Sequence, residues 1–69
     1  MFADDVVKVI ASGGGVNLST KGLDVRDLVR IAATGKQYRR TVVIRDAAPL
    51  MQSLTQIAVA GEGNVIFEF

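Results

Sequence analysis

The chain has 69 residues, of which 49% are apolar and 22% charged, and its formal net charge is +1. A chain of this length supports one small domain with a marginal core, and this composition excludes a disordered tail or a peptide that coats nucleic acid by charge alone. Cysteine and histidine are both absent, which excludes disulfide scaffolds, thiolate or imidazole metal sites, cysteine nucleophiles and histidine acid–base chemistry.

The first expected element is a helix near residues 4–11. Phe2, Val6, Val9 and Ile10 recur at helical spacing, Asp4 is a candidate cap, and the run Gly13-Gly14-Gly15 ends the helix. A strand follows at 16–19. A second helix is expected over 24–34, with Asp24 as N-cap and Asp27 three residues on, both acids favoured at the positive helix start. Val25, Leu28, Ile31 and Ala32 form its apolar stripe, and Gly35 suits a left-handed position just past its end. The β-branched run Val42-Val43-Ile44 predicts a strand over 41–45. A third helix is expected over 49–60, with Pro49 in the first turn, Leu50, Leu54, Ile57 and Ala58 as its stripe, and Gly61 as its stop. A last strand is expected within Asn64–Phe69.

A shift of 26 residues superimposes Val16 on Val42, Leu28 on Leu54, Ile31 on Ile57, Ala32 on Ala58 and Gly35 on Gly61. The shared pattern is V-x-[LI], a spacer, then L-x-x-I-A-x-x-G. Val9-Ile10-Ala11-Ser12-Gly13 echoes its helix end, and Asn64-Val65-Ile66-Phe67 echoes its strand. A period in this range is the mark of stacked supersecondary units. Strands joined by helices of this length make βαβ crossovers. The expected fold is therefore a single α/β domain over residues 1–69. Its order is αβαβαβ, with a three-stranded parallel sheet in the order 1-2-3 and the helices on one face.

Alternation along the strands then divides the side chains. Val16, Leu18, Val42, Ile44, Val65 and Phe67 face the helices. Asn17, Val43 and Ile66 form one row on the opposite face, and Ser19, Arg45 and Glu68 form the next. A favourable Arg45–Glu68 pair across adjacent strands is expected. Period, strand–helix order and the L-x-x-I-A-x-x-G helix together resemble a short piece of a leucine-rich-repeat-like β/α solenoid, although the usual strand asparagine is absent. The resemblance implies that the exposed sheet surface binds protein, and the shortened first unit leaves room for a longer array.

Four features are candidates for function. The triple glycine follows a helix and opens a strand, the reverse of a phosphate loop, and reads as a connector. The loop at 36–40 holds Lys36, Tyr38, Arg39 and Arg40, which suit phosphate contact and base stacking, or simply solvated cations beside a helix C-terminus. The carboxyl ends of the strands offer Ser19, Thr20, Lys21, Arg45, Asp46 and Glu68, where a small ligand or an enzyme site would sit in an open parallel sheet. Val43, Arg45, Ile66 and Glu68 lie on the bare face next to two open sheet edges. The favoured reading is a non-catalytic association module using these last four residues, with a second copy or another protein as partner. A nucleic-acid module through the 36–40 cluster and a ligand or enzyme site at the strand ends are the alternatives. No cofactor, metal or membrane partner is expected. No apolar run is long enough to span a bilayer, and Met1-Phe2-Ala3-Asp4-Asp5 lacks the signature of a secretory leader, so a cytoplasmic location is expected.

Overall fold

A computed structural model describes residues 3–69. Helix α1 (Ala3–Ala11), strand β1 (Val16–Ser19), helix α2 (Val25–Tyr38), strand β2 (Val42–Arg45), a 3-10 segment (Ala48–Ser53), helix α3 (Leu54–Gly61) and strand β3 (Val65–Phe67) follow one another. The three strands form one parallel sheet in the order β1-β2-β3. Val16 lies beside Val42 and Leu18 beside Ile44; Val42 lies beside Val65 and Ile44 beside Phe67. The α/β fold expected from the sequence is the one observed.

The core sits between the sheet and the helices. Leu18, Val42 and Ile44 project from the strands into it. Val6 and Ile10 of α1, Leu28, Ile31 and Ala32 of α2, and Leu54 and Ile57 of α3 meet them. Val16, Val65 and Phe67 on the outer strands are half-buried, because each outer strand has a neighbour on one side only. Each fully buried aliphatic side chain contributes roughly 1.5–3 kcal/mol, so a core of about a dozen residues suffices for a chain this short only if it is well packed. Ala47, in the turn after β2, is fully buried, which no periodic pattern announces.

Helix α2 begins as expected. The Asp24 carboxylate accepts from the Asp27 N–H at 2.9 Å, and the Asp27 carboxylate accepts from the Asp24 N–H at 3.2 Å. The two side chains thus satisfy two of the amides left free at a helix start. The end of α2 differs from expectation. The helix runs past the expected end at Thr34 and continues to Tyr38, and Arg39 with φ 57° supplies the left-handed cap. Gly35 is an interior helical residue, required for close approach and not for a turn. A Cβ there would lie 2.7 Å from Val42 Cγ2 and 3.0 Å from the Arg40 carbonyl oxygen. Gly61 repeats the arrangement against Val65 at 2.9 Å, and Glu62 with φ 42° supplies the cap.

Other expectations shift less. Asp4 lies inside the first turn of α1, where it pairs with Arg30 of α2 and so ties the two helices together. Phe2 lies outside the described residues. Pro49 belongs to the 3-10 segment, not to an α-helix, and Leu50 breaks the helical path at φ −106° and ψ 20°. Helix α3 proper therefore starts at Leu54. Strand β3 is confined to Val65–Phe67.

Gly35→Ala isolates the contact between α2 and β2. In an ordinary helix interior this change stabilises by up to about 1 kcal/mol. Here the expected result is a loss of about 1–3 kcal/mol from overpacking, read as a lower denaturation midpoint in urea. An unchanged or raised midpoint would show that α2 does not rest on Val42.

Candidate interaction surface

The face of the sheet turned away from the helices carries no covering element among the described residues. Register places Asn17 beside Val43 and Val43 beside Ile66, so these three side chains form a continuous row. Ile66 is 51% exposed, Val43 is half-buried and Asn17 is exposed. Arg45 lies beside Ser19 in the next row. The third member expected in that row, Glu68, falls beyond the end of β3. Its backbone still bonds to the β2 side, with its N–H donating to the Ile44 carbonyl at 2.9 Å and its own carbonyl accepting from the Ala47 N–H at 3.0 Å. Both Arg45 and Glu68 are exposed. Their expected ion pair is not formed: among the described residues the ion pairs are Arg30–Asp4 and Lys36–Glu62. Water competes well for charges this exposed, and a surface pair repays little for holding two long side chains in place. Phe69, two residues past the end of β3, is 70% exposed.

The four residues Lys36, Tyr38, Arg39 and Arg40 do not form a loop. Lys36 and Tyr38 belong to the last turn of α2, and Arg39 is its cap, its N–H donating to the Lys36 carbonyl at 3.2 Å. Their positive charge therefore lies where unpaired helix carbonyls concentrate negative charge. The Lys36 ammonium lies 3.1 Å from Glu62 at the end of α3. Tyr38 is 42% exposed, and Arg39 and Arg40 are exposed. The cluster is contiguous in the sequence, but its helical backbone is hidden there because a glycine at 35 reads as a terminator.

At the carboxyl ends of the strands, hydroxyls and a carboxylate knit two turns together. The Ser19 hydroxyl donates to an Asp46 carboxylate oxygen at 2.6 Å and accepts from the Lys21 N–H at 3.1 Å. The Thr20 hydroxyl donates to the Asp46 carbonyl at 2.8 Å. Asp46 holds this position with φ 58°, a conformation that Asp tolerates better than most residues. Through these contacts Ser19, Thr20 and Asp46 fix the turn after β1 to the turn after β2.

A groove of about 270 Å³ opens elsewhere, along the outer edge of β1 beneath α1. Asp5, Val6, Val9, Val16, Asn17 and Leu18 line it, and it contains neither Thr20 nor Asp46. Sequence reasoning missed this groove. The alternation of Val16 and Leu18 is visible in the sequence, but not that α1 leaves their outer side open.

No helix among the described residues is long and apolar enough to cross a membrane. Comparison of the chain with protein-family models, curated protein sequences and solved structures gave no match.

The Ser19–Asp46 hydrogen bond is testable by a double-mutant cycle of Ser19→Ala and Asp46→Gly. Glycine relieves the left-handed backbone, so that the cycle reads the side-chain contact. The expected coupling is about 0.5–1.5 kcal/mol, measured by denaturant unfolding. Additive effects would show that this hydrogen bond does not hold the two turns together.

Proposed function

We propose that this chain is a non-catalytic protein-association module that binds a second copy or another protein through the uncovered face of its sheet. The observation that carries the reading is the row Asn17-Val43-Ile66, with Ile66 half exposed and Val43 half-buried on a face that no helix among the described residues covers. Val43 and Ile66 supply apolar area for burial. Arg45 and Glu68 stand free on the rim, where charges set orientation and partner choice more than affinity.

The solenoid reading belongs to the same proposal. The β1–β2 register pairs residues 26 apart, the same spacing as the sequence shift. Gly35 and Gly61 lie 26 apart and each admits the first residue of the following strand. The pairs Asp4–Arg30 and Lys36–Glu62 also join positions 26 apart. These coincidences support two stacked β/α units of one kind, an architecture that offers a broad sheet surface to partners. The Lys36–Glu62 pair and the position of Arg39 at a helix end speak for a structural use of the basic cluster.

Ile66→Asp tests the reading. The side chain is half exposed, so the expected effect on folding is small, within about 1 kcal/mol. Association measured by light scattering is expected to weaken at least tenfold, since a buried unpaired charge costs several kcal/mol. Wild-type and variant association that cannot be distinguished would refute a contact at this face.

A further inference from the structure

The molecule is a layered unit with two open flanks, and neither is finished as the flank of an isolated domain would be. On one flank, β1 has a free edge beside the apolar groove under α1, where Val9 is 51% exposed and Val16 half-buried. On the other, β3 has a free edge beside α3. Residues 47–61, which include the whole of α3, contain no charged residue. Met51 and Val59 stand 56% and 67% exposed on that segment. Helices α1 and α2 are different: both carry exposed charges. Stacked-repeat architectures close their terminal units with a polar outer surface, because an uncovered apolar flank invites another unit to stack on it.

The backbone shows what fits. Val16 and Thr20 donate their N–H groups to the Thr41 and Arg45 carbonyls on the β2 side. The intervening Asn17 and Ser19 therefore turn their backbone groups to the free side. On β3, the Asn64 carbonyl and the Glu68 N–H bond to β2, so Val65 and Phe67 turn theirs outward. A second copy with its β1 parallel to this β3 continues the ladder. The register that satisfies those outward groups also sets Val65 beside Val16 of the second copy and Phe67 beside Leu18, all four on the helix side. The molecule already makes this pairing once internally, Val42 with Val65 and Ile44 with Phe67.

We propose that the α3/β3 flank of one copy docks into the α1/β1 groove of the next, giving a parallel, head-to-tail stack. This contact uses the edges and leaves the sheet face free, so it stands apart from the function proposed above. The smallest flank that the molecule presents measures 23 × 17 Å between Cα atoms. With side chains added, end-to-end contact buries on the order of 1,000 Å² in total, the lower limit for a specific interface. The stack is accordingly reversible and concentration-dependent. Its interface joins two different surfaces, so that it does not stop at two copies unless a ring closes.

That asymmetry supplies the test. Asn17→Pro removes an outward N–H on the receiving edge, and Phe67→Pro removes one on the donating edge. Neither touches a bond between β1, β2 and β3. Sedimentation velocity of the wild-type chain is expected to show dimers and larger species growing with concentration. With Ile66→Asp added to each so that the sheet face makes no contact, each variant alone is expected to be monomeric, and a mixture of the two to form a one-to-one dimer and nothing larger. Where circular dichroism shows a proline variant unfolded, Val9→Lys and Val59→Lys replace the pair, since both positions are exposed. Ile66→Asp should leave this behaviour unchanged even where it abolishes contact at the sheet face. A wild-type chain that stays monomeric at millimolar concentration would overturn the proposal. So would a dimer that each edge variant still forms alone when Ile66→Asp has removed contact at the sheet face.

Discussion

Parallel pairing of three short strands, each turning the same alternate residues towards the helices, is the constraint from which the rest of this structure follows. It places Leu18, Val42 and Ile44 in one layer with the stripes of α2 and α3. It requires a long crossover between successive strands, supplied here by α2 and α3, because parallel neighbours cannot be joined by a tight turn. Among the described residues the helices all lie on one side of the sheet, and the other side of each strand has no cover. The domain therefore has one strongly buried layer and one open face, and its outer strands have free edges.

The close fit between helix and sheet rests on small residues. Gly35 and Gly61 let the last turns of α2 and α3 settle onto Val42 and Val65. Cross-links of ordinary strength hold the layers in step: an exposed ion pair between α1 and α2, another between α2 and α3, and the hydroxyl–carboxylate knot at the carboxyl ends of β1 and β2. Surface ion pairs contribute little stability, typically below about 1 kcal/mol, and here each joins two adjacent helices. Ser19, Thr20 and Asp46 hold the turns after β1 and β2 together through their hydrogen bonds.

Much of this is legible in the sequence. Alternation in Val16-Asn17-Leu18-Ser19 and Val42-Val43-Ile44-Arg45 identifies both the strands and their two faces. The Asp24–Asp27 spacing locates the start of α2. The differences between expectation and structure share a physical origin. A glycine at 35 signals a backbone terminator, whereas it serves side-chain clearance, because a sequence shows that a Cβ is missing but not what would have struck it. The left-handed caps fall instead on Arg39 and Glu62, residue types that carry no such signal. The groove beside β1 depends on how far α1 leans over the sheet edge, a tertiary quantity with no periodic trace. Alternation alone puts Arg45 and Glu68 on one row, but β3 ends before Glu68.

The arrangement of the strands is the claim that everything else presupposes, and nuclear Overhauser contacts between backbone protons read it directly. The account predicts contacts of Val16 with Thr41 and Val42, and of Ile44 with Phe67 and Glu68, in the pattern of parallel neighbours. Close contacts between facing α-protons, the mark of antiparallel pairing, would contradict it.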